Sequence, residues 1–274
     1  MAEMAEVMGE PAFAARWSTL APRIRAAFAE AYRGPDGSIY QGTQTAYALA
    51  LGMDMIADPS QREQTAARFI ETLASDSHHL QTGFLGTPWL LPALSGIGRE
   101  DLAMRLLLNE DYPSWGFPIS MGATTMWERW NSIQPGGEFG PVDMNSFNHY
   151  AYGAVGDWMF AKIGGLQQIE PGYKKSRIAP LVGAGGLTSA KATQRTPFGT
   201  LSCEWRLDAG KLTLRVEIPA NTAAELFIPT ADLDKVLEGG RPARGAPGVG
   251  SVAVENQICK LGLGSGTYEF SVRN

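Results

Sequence analysis

The residues best placed to do chemistry in this 274-residue chain are a glutamate and the indoles around it. Glu128 lies between Trp127 and Trp130, directly after Thr124-Thr125, a pair able to start a helix. A carboxylate held between indoles loses hydration, which raises its pKa toward a range useful for proton transfer. An acid in a first helical turn, favoured by the macrodipole and paired with Arg129, accounts for the same residue without chemistry. Five of the seven tryptophans, Trp89, Trp115, Trp127, Trp130 and Trp158, fall in one stretch with Glu, Asp, Asn and His among them. Indole faces pack on the axial C–H surfaces of sugars while polar side chains hold the hydroxyls, so the stretch points to a carbohydrate cleft. Tryptophans that merely fill gaps between helices are the plainer alternative.

His149 is one of three histidines; His78 and His79 form a pair in a polar loop. No spacing of His, Asp, Glu and Cys matches a metal site, and no nucleophile elbow, P-loop or dinucleotide fingerprint occurs. Neither a metal nor an organic cofactor is expected. The balance of 23 Lys+Arg against 28 Asp+Glu, net −5, lacks the basic excess that nucleic acid demands. No apolar run approaches the ~20 residues of a membrane-spanning helix. The opening MAEMAEVMGE lacks the features of a signal peptide, which favours the cytoplasm if this is the natural start. Cys203 and Cys259 read as reduced thiols.

These groups need a scaffold, and the chain has two grammars. Up to about residue 165 the pattern is helical. Met1, Met4, Ala5 and Met8 share one face before Gly9, and Pro11 opens a stripe of Phe13, Trp17, Leu20, Ile24 and Phe28. Residues 43–56 are apolar on nearly all sides, and Pro59 opens a stripe through Ala66, Phe69, Ile70 and Leu73. Residues 82–98 read as a buried helix containing prolines, 98–110 as its amphipathic partner, and Phe147 to Met159 as the last stripe. Buried and amphipathic helices in alternation are how an α/α toroid is layered. After Gly164-Gly165 the period becomes two, as in LTLRVEI (212–218) and TYEFSV (267–272). LSCEWRL, AELFI and SVAVENQI also read as strands, with 183–187 and 239–250 as loops. The expected domains are 1–165 and 166–274, the second an antiparallel β-sandwich.

The segments GTQTAYALAL (42–51), TGFLGTPWLLPAL (82–94), YPSWGF (112–117), GATTMWERW (122–130) and NSFNHYAYGAVGDWMF (145–160) closely resemble the bacterial α-L-rhamnosidases, inverting glycoside hydrolases of family 78. The resemblance runs in order over nearly the whole chain. It implies an (α/α)6 barrel followed by a β-sandwich, and a rhamnose-containing glycoside as substrate. It also implies that Glu128, the glutamate of the TT-x-WERW segment, is the general base. His149, the histidine of N-H-Y, would bind the rhamnose, with Trp115 and Trp127 as further substrate contacts.

The family's acidic D-x-x-x-R-x-E segment, which carries the general acid, has no counterpart before Gly42. The chain is therefore expected to be the C-terminal part of a larger enzyme with an incomplete toroid, inactive alone. Residues 43–56 and 82–97, deprived of neighbours, would expose an apolar face and drive self-association, as a homodimer. Two other readings stay open: a non-catalytic sugar-binding or scaffold protein, and another six-hairpin glycosidase whose acid is Glu138, Asp143 or Asp157.

Overall fold

The computed structural model describes residues 1–272; Arg273 and Asn274, the end of the expected second domain, lie outside the described residues. The chain divides into two compact units, Met1–Val155 and one that begins at Gly156.

The first unit is helical: α1 (Ala2–Val7), α2 (Pro11–Tyr32), α3 (Gln44–Gly52), α4 (Pro59–Ser75), α5 (Thr87–Gly96), α6 (Glu100–Leu107) and α7 (Gly116–Ser120). Local chemistry sets the starts. The Thr43 and Asp58 side chains accept from Ala46 N and Gln61 N as N-caps, and Pro11 and Pro59 occupy first turns. Gly9 ends the first helical turn pair with φ +72°. The α3 helix packs on α4 and α5, and α5 on α6, around Tyr47, Leu51, Phe69, Leu90 and Leu94, each 2% exposed or less. Gly52 permits the α3–α5 approach, because a Cβ there would stand 2.9 Å from the Trp89 ring.

Several helical expectations need correction. Residues 82–86, 124–130 and 147–150 are irregular rather than helical, and the final stripe becomes a 3₁₀ turn at Ala151–Ala154, then an α turn at Val155–Trp158. In 124–130 and 147–150, backbone bonds between the two segments, described below, outcompete helix, while Thr82 O is taken by the Trp130 indole N–H. The stripe of α2 is not a core face either: Phe13 and Ile24 are 51% and 52% exposed, and Ala14 alone in α2 is buried. At the N-terminal end the exposed apolar side chains thus lie on or beside α1 and α2, where Met1, Met4, Val7 and Met8 join Phe13 and Ile24, whereas the apolar residues of α3 and α5 are well covered.

The second unit holds two sheets. One runs β1 (Leu166–Gln168), β2 (Lys175–Ile178), β6 (Ala223–Ile228), β10 (Ile258–Leu263) and β9 (Val249–Glu255). The other runs β3 (Ser189–Thr196), β4 (Gly199–Asp208), β5 (Lys211–Ile218), β11 (Gly266–Val272), β7 (Val236–Glu238) and β8 (Arg241–Pro242). All pairings are antiparallel except β2 with β6, which is parallel. In β5 every second residue is buried, as its period-two sequence dictates. SVAVENQI is not one strand: Asn256 and Gln257, at φ +49° and +65°, form the two-residue turn between β9 and β10. Buried side chains from both sheets make one core around Trp205.

Both thiols lie in that core. Burial pushes the Cys203 thiol up to about 12 and raises Cys259 as well. Both therefore stay protonated at pH 8, and neither is expected to react with a thiol-specific disulfide reagent until denaturant is added. Rapid stoichiometric labelling of the folded chain would contradict this.

Candidate active site

Glu128 and His149 are joined by main chain rather than by helix ends. Residues 125–128 run beside 146–149: Glu128 N–H donates to Ser146 O at 2.8 Å and His149 N–H to Met126 O at 2.8 Å. The Thr125 hydroxyl adds a bond to Phe147 O. In return, Ser146 N–H donates to Glu128 Oε2 at 2.7 Å, a charge-assisted bond that fixes the carboxylate. Among the described residues Oε1 has no hydrogen-bond partner and is not fully buried, so one carboxylate oxygen remains for chemistry.

His149 is fixed on three sides. Its ring stacks between Phe84 (4.7 Å, 11°) and Tyr150 (5.2 Å, 11°). Nδ1 accepts from Ala151 N–H at 3.3 Å, which places the proton of the neutral ring on Nε2 and makes that atom a donor. The two expected groups are thus brought together as a free carboxylate oxygen and an imidazole N–H at the two ends of one backbone pairing.

Trp115 and Trp127 stand differently. They are 6% and 4% exposed. Trp115 Nε1 donates to Tyr152 O at 3.0 Å, and its ring meets Trp130 edge-on at 5.4 Å. Trp127 meets Phe147 edge-on at 5.3 Å. Both rings are thus packed among other aromatic residues and little exposed. Trp130 is half-buried, donates to Thr82 O at 2.9 Å and stacks flat on Tyr152 at 3.8 Å.

The excursion between the paired segments has its own closures. Buried Ser132 accepts through its carbonyl from Gly140 N–H (2.9 Å) and Asn145 Nδ2 (3.0 Å), and Gln134 N–H donates to Glu138 O at 2.8 Å. Asn145 Oδ1 is fully buried without a partner. Glu138 and Asp143 are exposed and share no hydrogen bond with Glu128 or His149; Asp157 belongs to the second unit. Among the described residues no three His, Cys, Asp or Glu side chains form a metal-binding group, and no helix is long and apolar enough to cross a membrane.

Sequence reasoning missed Phe84, Ser146 and Tyr152 as parts of the site. The run of polar residues before His149 hinted at Ser146. Phe84 and Tyr152 carried no local signal, because their partners lie far along the chain or look like ordinary core aromatics.

Residues 1–163 match the family model described as bacterial alpha-L-rhamnosidase 6 hairpin glycosidase domain, and residues 165–241 that of the bacterial alpha-L-rhamnosidase C-terminal domain. An alpha-L-rhamnosidase of Streptomyces avermitilis is 43% identical over 99% of this chain and 25% of its own length. One of Formosa agariphila is 39% identical over 99% of this chain and 29% of its own. The crystal structure of the Streptomyces avermitilis alpha-L-rhamnosidase complexed with L-rhamnose superposes with a TM-score of 0.91 at 42% identity, covering 99% of this chain and 25% of that one. That of the Aspergillus terreus enzyme gives 0.86 at 31%, covering 99% and 29%. This chain therefore spans 25–29% of the length of these relatives.

Proposed function

Because this chain belongs to the bacterial α-L-rhamnosidase family, we propose that its first unit serves the hydrolysis of terminal rhamnose from glycosides. Glu128 is the general base: Oε2 is pinned by Ser146, and the free Oε1 draws a proton from the attacking water. His149 donates from Nε2 to a sugar hydroxyl, while Trp115 and Trp127 keep the two groups in register from behind. In the inverting scheme a second carboxyl stands ~6.5–9.5 Å away to leave room for that water and protonates the leaving oxygen. Neither Glu138 nor Asp143 joins the Glu128 network, which supports an acid other than these and little turnover by the chain alone. The observation that carries the reading is the backbone pairing that holds a half-free carboxylate at one end and an oriented imidazole at the other.

The test is titration of the purified chain with L-rhamnose, followed by amide shifts, beside an aryl α-L-rhamnoside assay. His149→Ala is expected to weaken rhamnose binding by about tenfold, since it removes a ligand hydrogen bond and one ring of the stack. Unchanged affinity would remove His149 from the site. The single carboxylate also favours a second reading, a sugar-binding protein, for which saturable binding with no detectable turnover would speak.

Self-association belongs to the same proposal, with a second copy of this chain as the occupant of the α1–α2 face. Glu3, Glu6 and Glu10 on and beside α1, and Arg16 and Arg23 on α2, form no ion pair among the described residues, so two copies can pair acid to base across exposed Phe13 and Ile24. Light scattering is expected to show a dimer that Phe13→Glu with Ile24→Glu converts to a monomer. A wild-type monomer at high concentration would refute the pairing.

A further inference from the structure

Tyr152 is 6% exposed, and its packing touches both arms of the site. Its ring lies flat on Trp130 (3.8 Å, 8°) and meets the edge of Phe84 at 5.3 Å. Trp130 follows the Glu128 turn in the chain, and the same Phe84 ring carries His149 on its face. The Tyr152 carbonyl is fixed as well, by the Trp115 indole N–H. A ring held this way has surrendered its rotamer freedom before any ligand arrives, which lowers the entropic cost of a contact made by its tip.

The packing makes no use of that tip. Among the described residues the Tyr152 hydroxyl has no hydrogen-bond partner, and the one fully buried side-chain polar atom left unpaired is Asn145 Oδ1, so the hydroxyl opens on solvent. A ring needed only to fill space between Trp130 and Phe84 could be phenylalanine. A buried tyrosine ordinarily finds its O–H a protein partner, and this one does not.

We propose that the Tyr152 hydroxyl is a third polar contact of the site, hydrogen-bonding a ring hydroxyl of the bound sugar alongside Glu128 and His149. The assignment rests on the glycoside reading above. Its electrical surroundings fit the role. Burial first, then the charges of Tyr112 and Glu128, push the phenol up to about 12 against the opposing Arg129 guanidinium. The hydroxyl therefore remains a neutral donor at any working pH, with ionisable site groups around it.

The experiment compares the wild-type chain, Tyr152→Phe and Tyr152→Leu by amide-shift titration with L-rhamnose and by thermal melting. Tyr152→Phe keeps both ring contacts, so its melting point should match the wild type while its Kd for rhamnose rises about three- to tenfold, the worth of one neutral hydrogen bond. Tyr152→Leu should lower the melting point and weaken binding further. Equal rhamnose affinity in the wild type and Tyr152→Phe would overturn the hydroxyl's role and leave the glycoside reading intact. A Tyr152→Phe chain that melts early would reveal a structural hydroxyl and also overturn it. A wild-type chain that binds no rhamnose would remove the glycoside reading itself, and the proposal with it.

Discussion

Glu128→Gln is expected to slow release of an aryl group from an aryl α-L-rhamnoside by about 10²- to 10⁴-fold, the range that a positioned general base contributes. The amide is nearly isosteric, and its oxygen can still accept the Ser146 N–H, which bonds Glu128 Oε2 at 2.7 Å. The pairing of 125–128 with 146–149 is left standing, because its other bonds are made by the backbone and by Thr125. What disappears is the negative charge and the basic lone pair on the free oxygen. Rhamnose affinity and the melting temperature should therefore hold while the rate falls. The measurement is the initial rate on the chain, or on an assembly containing it, beside the wild type at equal concentration. A loss under tenfold would take the base role away from Glu128. A matching fall in melting temperature would assign the effect to structure.

The second large effect concerns stability. Trp205 is fully buried at the centre of the second unit's core, and its indole N–H donates to Ile163 O at 2.8 Å. Trp205→Ala removes the largest fully buried side chain and opens a cavity, at a cost of about 3–5 kcal/mol. It also leaves a carbonyl without its donor, which adds about 1–3 kcal/mol if no water replaces it. Against a typical total of about 5–15 kcal/mol, the variant should lose most of the unit's stability. Urea unfolding followed by circular dichroism checks this: the midpoint should drop sharply with the slope retained. Trp205→Phe, which keeps much of the volume but not the donor, should fall between. A midpoint within experimental error of the wild type would show that the core closes over the gap.

Where a signal was local, the sequence carried it well. The alternation of LTLRVEI became β5 with every second residue buried, and Pro11 and Pro59 marked helix starts. Legibility ended where distant segments decide the backbone. GATTMWERW and the residues around His149 look helical by composition, yet each gives up helix for bonds to the other. No periodicity reports a pairing between segments some twenty residues apart. The α2 stripe failed for another reason: periodicity says which face is apolar, and nothing about whether a neighbour covers it. In the candidate site, residue type singled out Glu128, His149, Trp115 and Trp127, but only the fold shows that Trp115 and Trp127 are buried while Trp130 and Phe84 lie nearer the surface. Tyr152 could not be found from sequence, because its importance is a hydroxyl left unsatisfied by its surroundings.

The excursion 129–145 leaves and re-enters the site through a closed neck. Its outermost residues, Gly136 and Gly137, are exposed, and a Cβ at Gly137 would meet nothing within 4 Å. Because the neck is sealed at Glu128 and Ser146 and again at Ser132, extra residues at the tip do not bear on the carboxylate. Doubling the length of such a loop costs only about 0.6 kcal/mol of closure entropy. A lineage carrying this arrangement can thus lengthen, shorten or redecorate the tip generation after generation while the Glu128 carboxylate stays pinned where it is.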